Sequence, residues 1–167
     1  MNYSEMLEYD IANAPYVCTT LFVSGCTHKC EGCFNKVAQD FNYGHKWTQE
    51  EEDQFLRYAN NPNVKGINIL GGEPMQQDMG IMLHLLERLK KESRKPIWLW
   101  TGYSYDDIMK NKLKKQLLKY IDVLIDGKFH INKRSLKLKF KGSSNQRVID
   151  VQKSLKQNKI VLWEYNY

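Results

Sequence analysis

Three of the four cysteines, Cys26, Cys30 and Cys33, fall within eight residues, in the stretch Gly25-Cys26-Thr27-His28-Lys29-Cys30-Glu31-Gly32-Cys33-Phe34-Asn35. Thiolates gathered so closely can share one metal centre, and two kinds compete. A structural zinc ion asks for four ligands in paired Cys-x-x-Cys knuckles, whereas an iron–sulfur cube takes its thiolates clustered on one loop. Here one knuckle is joined by one extra cysteine, a spacing that wraps three corners of a cube and leaves the fourth iron open to a ligand that reacts. Three thiols with no metal is the weaker reading, because packing alone rarely brings cysteines to such density. His28 stands between two of the thiols; with three cysteines already holding the cube, it is expected to be exposed or to hydrogen-bond near the centre rather than to ligate. Cys18, eight residues before Cys26, reads as a small buried hydrophobe rather than a fourth ligand.

Regular elements must deliver this loop. Tyr16 to Ser24 is β-branched or aromatic at most positions, which predicts a buried first strand with the cysteines at its carboxyl end. Thr48 and Glu51 have capping-box spacing and open a helix to about Asn60. Asn60-Asn61-Pro62-Asn63 breaks it, Val64 to Leu70 alternates into a second strand, and Gly71-Gly72-Glu73-Pro74 ends that strand. Met79, Met82, Leu83, Leu86 and Leu89 recur at helical spacing between Gln76 and Glu92, and Pro96 opens a third strand, Ile97 to Trp100. Thr101-Gly102-Tyr103 then turns the chain into a helix capped by Ser104 and Asp107 that reaches toward Tyr120. Ile121 to Asp126 is the fourth strand, stopped by Gly127, and Leu136 to Phe140, Arg147 to Val151 and Ile160 to Tyr165 read as short further strands.

Strands alternating with helices predict an α/β fold of parallel units, curled into an open sheet or partial (β/α) barrel because the units are too few to close eight strands. Ligands of such folds bind beyond the carboxyl ends of the strands. Cys26 to Cys33, Gly71 to Glu73, Thr101 to Tyr103 and Asp126-Gly127 all fall on that rim. For Tyr103 and Asp126, core packing and strand capping are the respective alternatives to a place in the site.

The chain has 167 residues, 42% of them hydrophobic, enough for one domain over 1–167 with a real core. No run of eighteen apolar residues is present to span a bilayer, so no membrane partner is expected. The first ten residues carry three acids and no base, unlike a secretion signal, and a reducing cytoplasmic compartment suits cysteines that act as ligands. Of the net charge of +6, the surplus lies late: ten Lys or Arg stand against the single acid Asp150 between Gly127 and Lys159. A solvated face and a protein-partner surface both precede nucleic acid as explanations, since no nucleic-acid motif accompanies the charge.

Cys26, Cys30 and Cys33 on one loop, followed a strand later by Gly71-Gly72-Glu73-Pro74, resemble the radical S-adenosylmethionine superfamily, and the pair of motifs is far more specific than either alone. Phe22-Val23-Ser24-Gly25-Cys26, Cys33-Phe34-Asn35, Asp122-Val123-Leu124-Ile125-Asp126-Gly127 and Lys141-Gly142-Ser143-Ser144-Asn145-Gln146-Arg147 are further similar to the activating component of the anaerobic ribonucleotide reductase, over nearly the whole chain. The resemblance implies a [4Fe-4S] cluster on the three cysteines, S-adenosylmethionine at the open iron, and a parallel-stranded partial barrel of the radical S-adenosylmethionine type. It implies that Gly71, Gly72 and Glu73 receive the methionyl end, with Glu73 accepting from its ammonium, and that Phe34 packs against the adenine. Thr101, Tyr103 and Asp126 join them as rim candidates. The implied partners are the anaerobic ribonucleoside-triphosphate reductase, on which a glycyl radical is formed, and an electron donor such as a flavodoxin-like protein. Two positions depart from the pattern: Gly32, where an aromatic residue often precedes the last cysteine, and Lys141, where an arginine is expected before Gly-Ser.

Two alternatives stay open at the level of sequence. One keeps the radical chemistry but changes the target, to another glycyl-radical enzyme or a small metabolite. The other is a zinc-bearing module that uses all four cysteines structurally and the basic end for nucleic acid.

Overall fold

The β-branched run Cys18–Ser24 forms strand β2 in a computed structural model that describes residues 1–164. With it stand β1 (Asn2–Asp10), β3 (His45–Lys46), β4 (Gly66–Gly71), β5 (Ile97–Trp100), β6 (Val123–Asp126) and β7 (Arg147–Asp150). Among the described residues they make one seven-stranded sheet in the order β3-β1-β2-β4-β5-β6-β7. The four strands read from the sequence run parallel side by side, with Thr20 opposite Asn68, Asn68 opposite Trp98, and Trp98 opposite Val123. The flanking β1 and β7 are antiparallel to their neighbours. The expected open, largely parallel α/β architecture is present.

Alternation along the strands sorts side chains to two faces. Leu21, Val23, Ile67, Ile69, Ile97, Leu99 and Leu124 pack into one fully buried core with residues of the helices α1 (Gln49–Asn60), α2 (Met79–Glu92), α3 (Tyr105–Lys110) and α4 (Lys112–Leu117). Their intervening neighbours Cys18, Trp98, Val123 and Ile125 belong to a smaller cluster with Ala14, Tyr16, Phe140 and Trp163. Toward the carboxyl ends of the strands this second face opens: Phe22, Leu70 and Trp100 line a cavity there. The last helix, α5, spans Val151–Gln157.

At both capping-box spacings the N-cap bond forms, with Thr48 accepting from the Glu51 N–H and Ser104 from the Asp107 N–H, while Glu51 accepts from the Tyr3 hydroxyl and Asp107 from the Ser104 hydroxyl. Four expectations are corrected. The sequence reading had no strand before Tyr16, yet β1 pairs along the length of β2; its acids and its half-buried apolar residues mask it as a strand. The helix expected from Ser104 to Tyr120 is two, because the Asn111 side chain accepts from the Leu113 and Lys114 N–H groups and starts α4 afresh. Leu136 to Phe140 is not a strand: Leu136 is 90% exposed and Phe140 turns with a positive φ of 64°. Ile160 to Tyr165 reduces to one isolated bridge between Leu162 and Ile149, and Tyr165 lies outside the described residues. No described helix is long and apolar enough to cross a membrane.

Candidate functional site

The main chain of the cysteine loop is laced to the segment after β4 by hydrogen bonds. The Gly25 carbonyl accepts from the Glu73 N–H at 2.8 Å and from Gln77 Nε2 at 3.2 Å, while the Thr27 N–H donates to Gln76 Oε1 at 2.7 Å. This closeness explains the glycines. A Cβ on Gly72 would sit 2.6 Å from the Gly25 carbonyl oxygen, and one on Gly71, whose φ is +106°, would sit 2.7 Å from that of Val23. Room for the loop demands the glycine at 72, and the neighbouring strand β2 with the positive φ demands the one at 71, before any ligand is considered.

Cys26, Cys30 and Cys33, each half-buried, line one cavity of about 560 Å³ together with Gly71, Gly72, Glu73 and Thr101. Phe34 lies at its mouth, wholly exposed. Glu73 is 1% exposed, and its carboxylate is fully engaged by the protein. Oε1 accepts from the Met75 N–H at 2.9 Å and the Thr101 hydroxyl at 2.8 Å; Oε2 accepts from the Gly102 N–H at 2.7 Å and from His28 Nε2 at 2.9 Å. One carboxylate thus joins the cysteine loop, the end of β4 and the end of β5.

Two rim candidates do not reach this cavity. Tyr103 lines a separate one behind His28, its ring edge-on to the imidazole at 4.7 Å and its hydroxyl accepting from Gln76 Nε2. Asp126, 1% exposed, takes a two-pronged ion pair from Arg147 and the N–H of Tyr105, so it fastens β6 to β7 and to the start of α3. The sequence reading gave no cavity role to the apolar floor of Phe22, Leu70 and Trp100 or to Leu136 and Leu138, and it placed Arg134 and Lys141, which border the cavity with those leucines as a basic arch, only in the late basic surplus. Strand alternation marks the floor; the arch carries no local signal beyond its charge. Lys141 donates to the Gln146 carbonyl at 2.8 Å.

Burial pushes the Cys26 thiol above its usual value, against the main-chain N–H of His28, which faces the sulfur and favours thiolate. A bound metal deprotonates such a thiol outright. Among the described residues no three His, Cys, Asp or Glu side chains converge closely enough to hold a single metal ion. A cube presents a separate iron to each thiolate, so its donors stand apart around one space, and the three half-buried cysteines around one cavity fit that demand. The four-cysteine zinc set is not assembled. Cys18 sits at the opposite end of β2 from the loop, fully buried, and burial pushes its thiol up to about 12.

Residues 13–149 match the family model described as 4Fe-4S single cluster domain. The fold and the loop therefore define a 4Fe-4S domain of the radical S-adenosylmethionine type. Proteins named anaerobic ribonucleoside-triphosphate reductase-activating protein align along nearly the whole chain. That of Vibrio cholerae is 40% identical over 87% of this chain and 96% of its own, that of Escherichia coli strain K12 41% over 89% and 97%, and that of Enterobacteria phage T4 36% over 89% and 93%. The chain belongs to the family of anaerobic ribonucleoside-triphosphate reductase-activating proteins.

Proposed function

We propose that this protein activates an anaerobic ribonucleoside-triphosphate reductase by forming a glycyl radical on it, with S-adenosylmethionine cleaved reductively at a [4Fe-4S] cluster. The observation that carries the reading is the convergence of Cys26, Cys30, Cys33 and the Gly71–Glu73 turn on one open cavity, in a chain of this family. The chemistry supplied with the cluster bound is one-electron reduction of the sulfonium, which releases methionine and a 5′-deoxyadenosyl radical that takes a hydrogen atom from a glycine of the reductase.

This chain's residues do the rest. Cys26, Cys30 and Cys33 would hold the cluster at three corners and leave its open side toward the cavity, where the cofactor's amino and carboxylate groups would bind. The main chain of Gly71 and Gly72 lines the cavity where the methionyl end would lie, with Thr101 beside it. Phe22, Leu70 and Trp100 give an apolar floor that keeps water from the reactive carbon. Phe34 and Leu136, 103% and 90% exposed, stand at the open mouth, where a partner's backbone would enter. The electron comes from a small reduced protein, flavodoxin-like in character, and four free cysteines suit a reducing cytoplasm.

The test incubates cluster-loaded, chemically reduced protein with S-adenosylmethionine and reductase under anaerobic conditions and quantifies 5′-deoxyadenosine. Its formation should rise several-fold with reductase present. Formation driven only by an added metabolite would assign the site to a small-molecule radical enzyme.

A further inference from the structure

A second cavity, of about 550 Å³, shares His28 and no other residue with the cysteine cavity. Thr27, Gln76, Tyr103, Asn111, Lys114 and Lys128 form most of its lining. The His28 ring meets Tyr103 edge-on at 4.7 Å, and the Lys114 ammonium stands 4.7 Å over the Tyr103 ring. Two ring contacts therefore separate a lysine of the outer cleft from the wall of the space that the three cysteines line. That wall is braced: Gln76 accepts from the Thr27 N–H at 2.7 Å and donates to the Tyr103 hydroxyl at 3.0 Å. Gly102 packs so closely beneath the imidazole that a Cβ there would meet it at 2.4 Å.

The surface around the cleft is basic. From Lys110 to Lys119 the chain carries five lysines and no acid, and Lys128 joins them across the cleft. Lys112, Lys115, Lys119 and Lys128 are exposed. Among the described residues the lysines that form ion pairs with carboxylates are Lys90 and Lys153, both outside this surface. The nearby acids are partly engaged: Asp107, in the cleft, accepts from the Ser104 hydroxyl, and Asp106 faces Arg147 at 4.0 Å. Each reductive cleavage of the cofactor consumes one electron from outside, and electron transfer slows steeply with distance. In the proposed reaction the mouth of the cysteine cavity is taken up by cofactor and by the reductase backbone, which leaves the His28–Tyr103 wall as the thin approach. We propose that the lysine surface around this second cleft docks an acidic one-electron donor protein, which reduces the cluster across the His28–Tyr103 wall. The donor's acidity follows from charge complementarity with an unneutralised basic face. This rests on the cluster reading above and places the electron donor on a different face from the reductase. With a flavin donor the step balances: the anionic hydroquinone gives one electron and remains as the neutral semiquinone, the oxidised cluster takes that electron, and no proton crosses.

The experiment uses the full chain reconstituted anaerobically with iron and sulfide, with a flavodoxin as the probe. Calorimetry measures the affinity of oxidised flavodoxin at low and high salt, and stopped-flow absorbance measures the conversion of its hydroquinone to semiquinone. Lys112→Glu, Lys115→Glu and Lys128→Glu combined should weaken binding and slow the transfer on the order of tenfold at low salt, and shrink the salt dependence of both. Photoreduction by a deazaflavin, which needs no docking, should proceed as in the native protein and report a folded variant with its cluster in place. Lys133→Glu with Lys137→Glu, beside the mouth, should change neither the affinity nor the rate for flavodoxin. Native affinity and rate in the triple variant would overturn the inference. So would equal losses in the variant beside the mouth, which would reduce the effect to net charge. Single-stranded DNA bound at the lysine surface with flavodoxin unbound would overturn it in favour of a nucleic-acid face. A native protein that neither reductant can reduce fails the cluster reading; a cluster reduced by deazaflavin, with the triple variant unmoved toward flavodoxin, fails this inference alone.

Discussion

Arg147 grips Asp126 with two prongs, Nε and Nη2 each meeting one carboxylate oxygen, and so fastens the antiparallel β7 to the end of the parallel set. The Asp126 carboxylate holds the Arg147 guanidinium above its already high value. Removing Arg147 leaves a buried carboxylate with only the Tyr105 N–H, a cost on the order of 3 kcal/mol, moderated because Arg147 itself is about a third exposed. Arg147→Ala should therefore lower the anaerobic denaturation midpoint markedly while cluster assembly at low temperature persists. Native stability with lost cofactor binding would instead move Asp126 into the site.

The cysteines should separate cleanly. Alanine at Cys26, Cys30 or Cys33 should abolish iron uptake on reconstitution. Cys18→Ala should keep it and cost about 1 kcal/mol from the core of the second face. Equal iron loss in a folded Cys18→Ala protein would contradict the three-ligand assignment.

Asp10 makes acid stability testable. Burial raises its pKa, but bonds from Asn13, Thr20, the Ala12 N–H and Asn68 outweigh burial and leave it below the ordinary value. A depressed folded value means the stabilisation is complete above the unfolded carboxyl value, about pH 4, and is lost as pH falls through the folded one. Urea midpoints of the metal-free protein should fall as the pH drops below about 4, and Asp10→Asn should flatten that slope. Parallel slopes would remove Asp10 as the cause.

The basic arch predicts a rate effect. Lys133 and Lys137 are exposed beside, not in, the cavity. Reversal of both to glutamate should slow association with an acidic partner surface on the order of tenfold at low salt and shrink its salt dependence. Cofactor cleavage without partner should be unchanged. Untouched kinetics would leave the arch as a solvated face.

Much of this was legible because it is local. The parallel strands are short stretches rich in apolar and β-branched residues, the capping-box spacings of Thr48 and Ser104 are three residues long, and the three-cysteine loop with Gly71-Gly72-Glu73 announces its chemistry. What escaped depends on distant residues. The His28–Glu73 bond joins positions 45 apart, and Asp126 finds Arg147 only once β7 lies against β6. Leu136, Leu138 and Phe140 alternate as a strand would, yet Leu136 and Leu138 border an open mouth and Phe140 accepts from the Trp100 indole, so their period reflects a covering segment rather than a sheet. The role of Gly72 was read as closeness to a ligand; the carbonyl of Gly25 is the nearer reason.

The central claim is that the open rim delivers a hydrogen-abstracting radical to a partner's glycine. Its most direct measurement is electron paramagnetic resonance of the reduced, cluster-loaded protein frozen after reaction with S-adenosylmethionine and the reductase. A carbon-centred doublet that disappears when the reductase's radical-site glycine is replaced by alanine is the predicted result. Cofactor cleavage with no such doublet, in the presence of intact reductase, would contradict it.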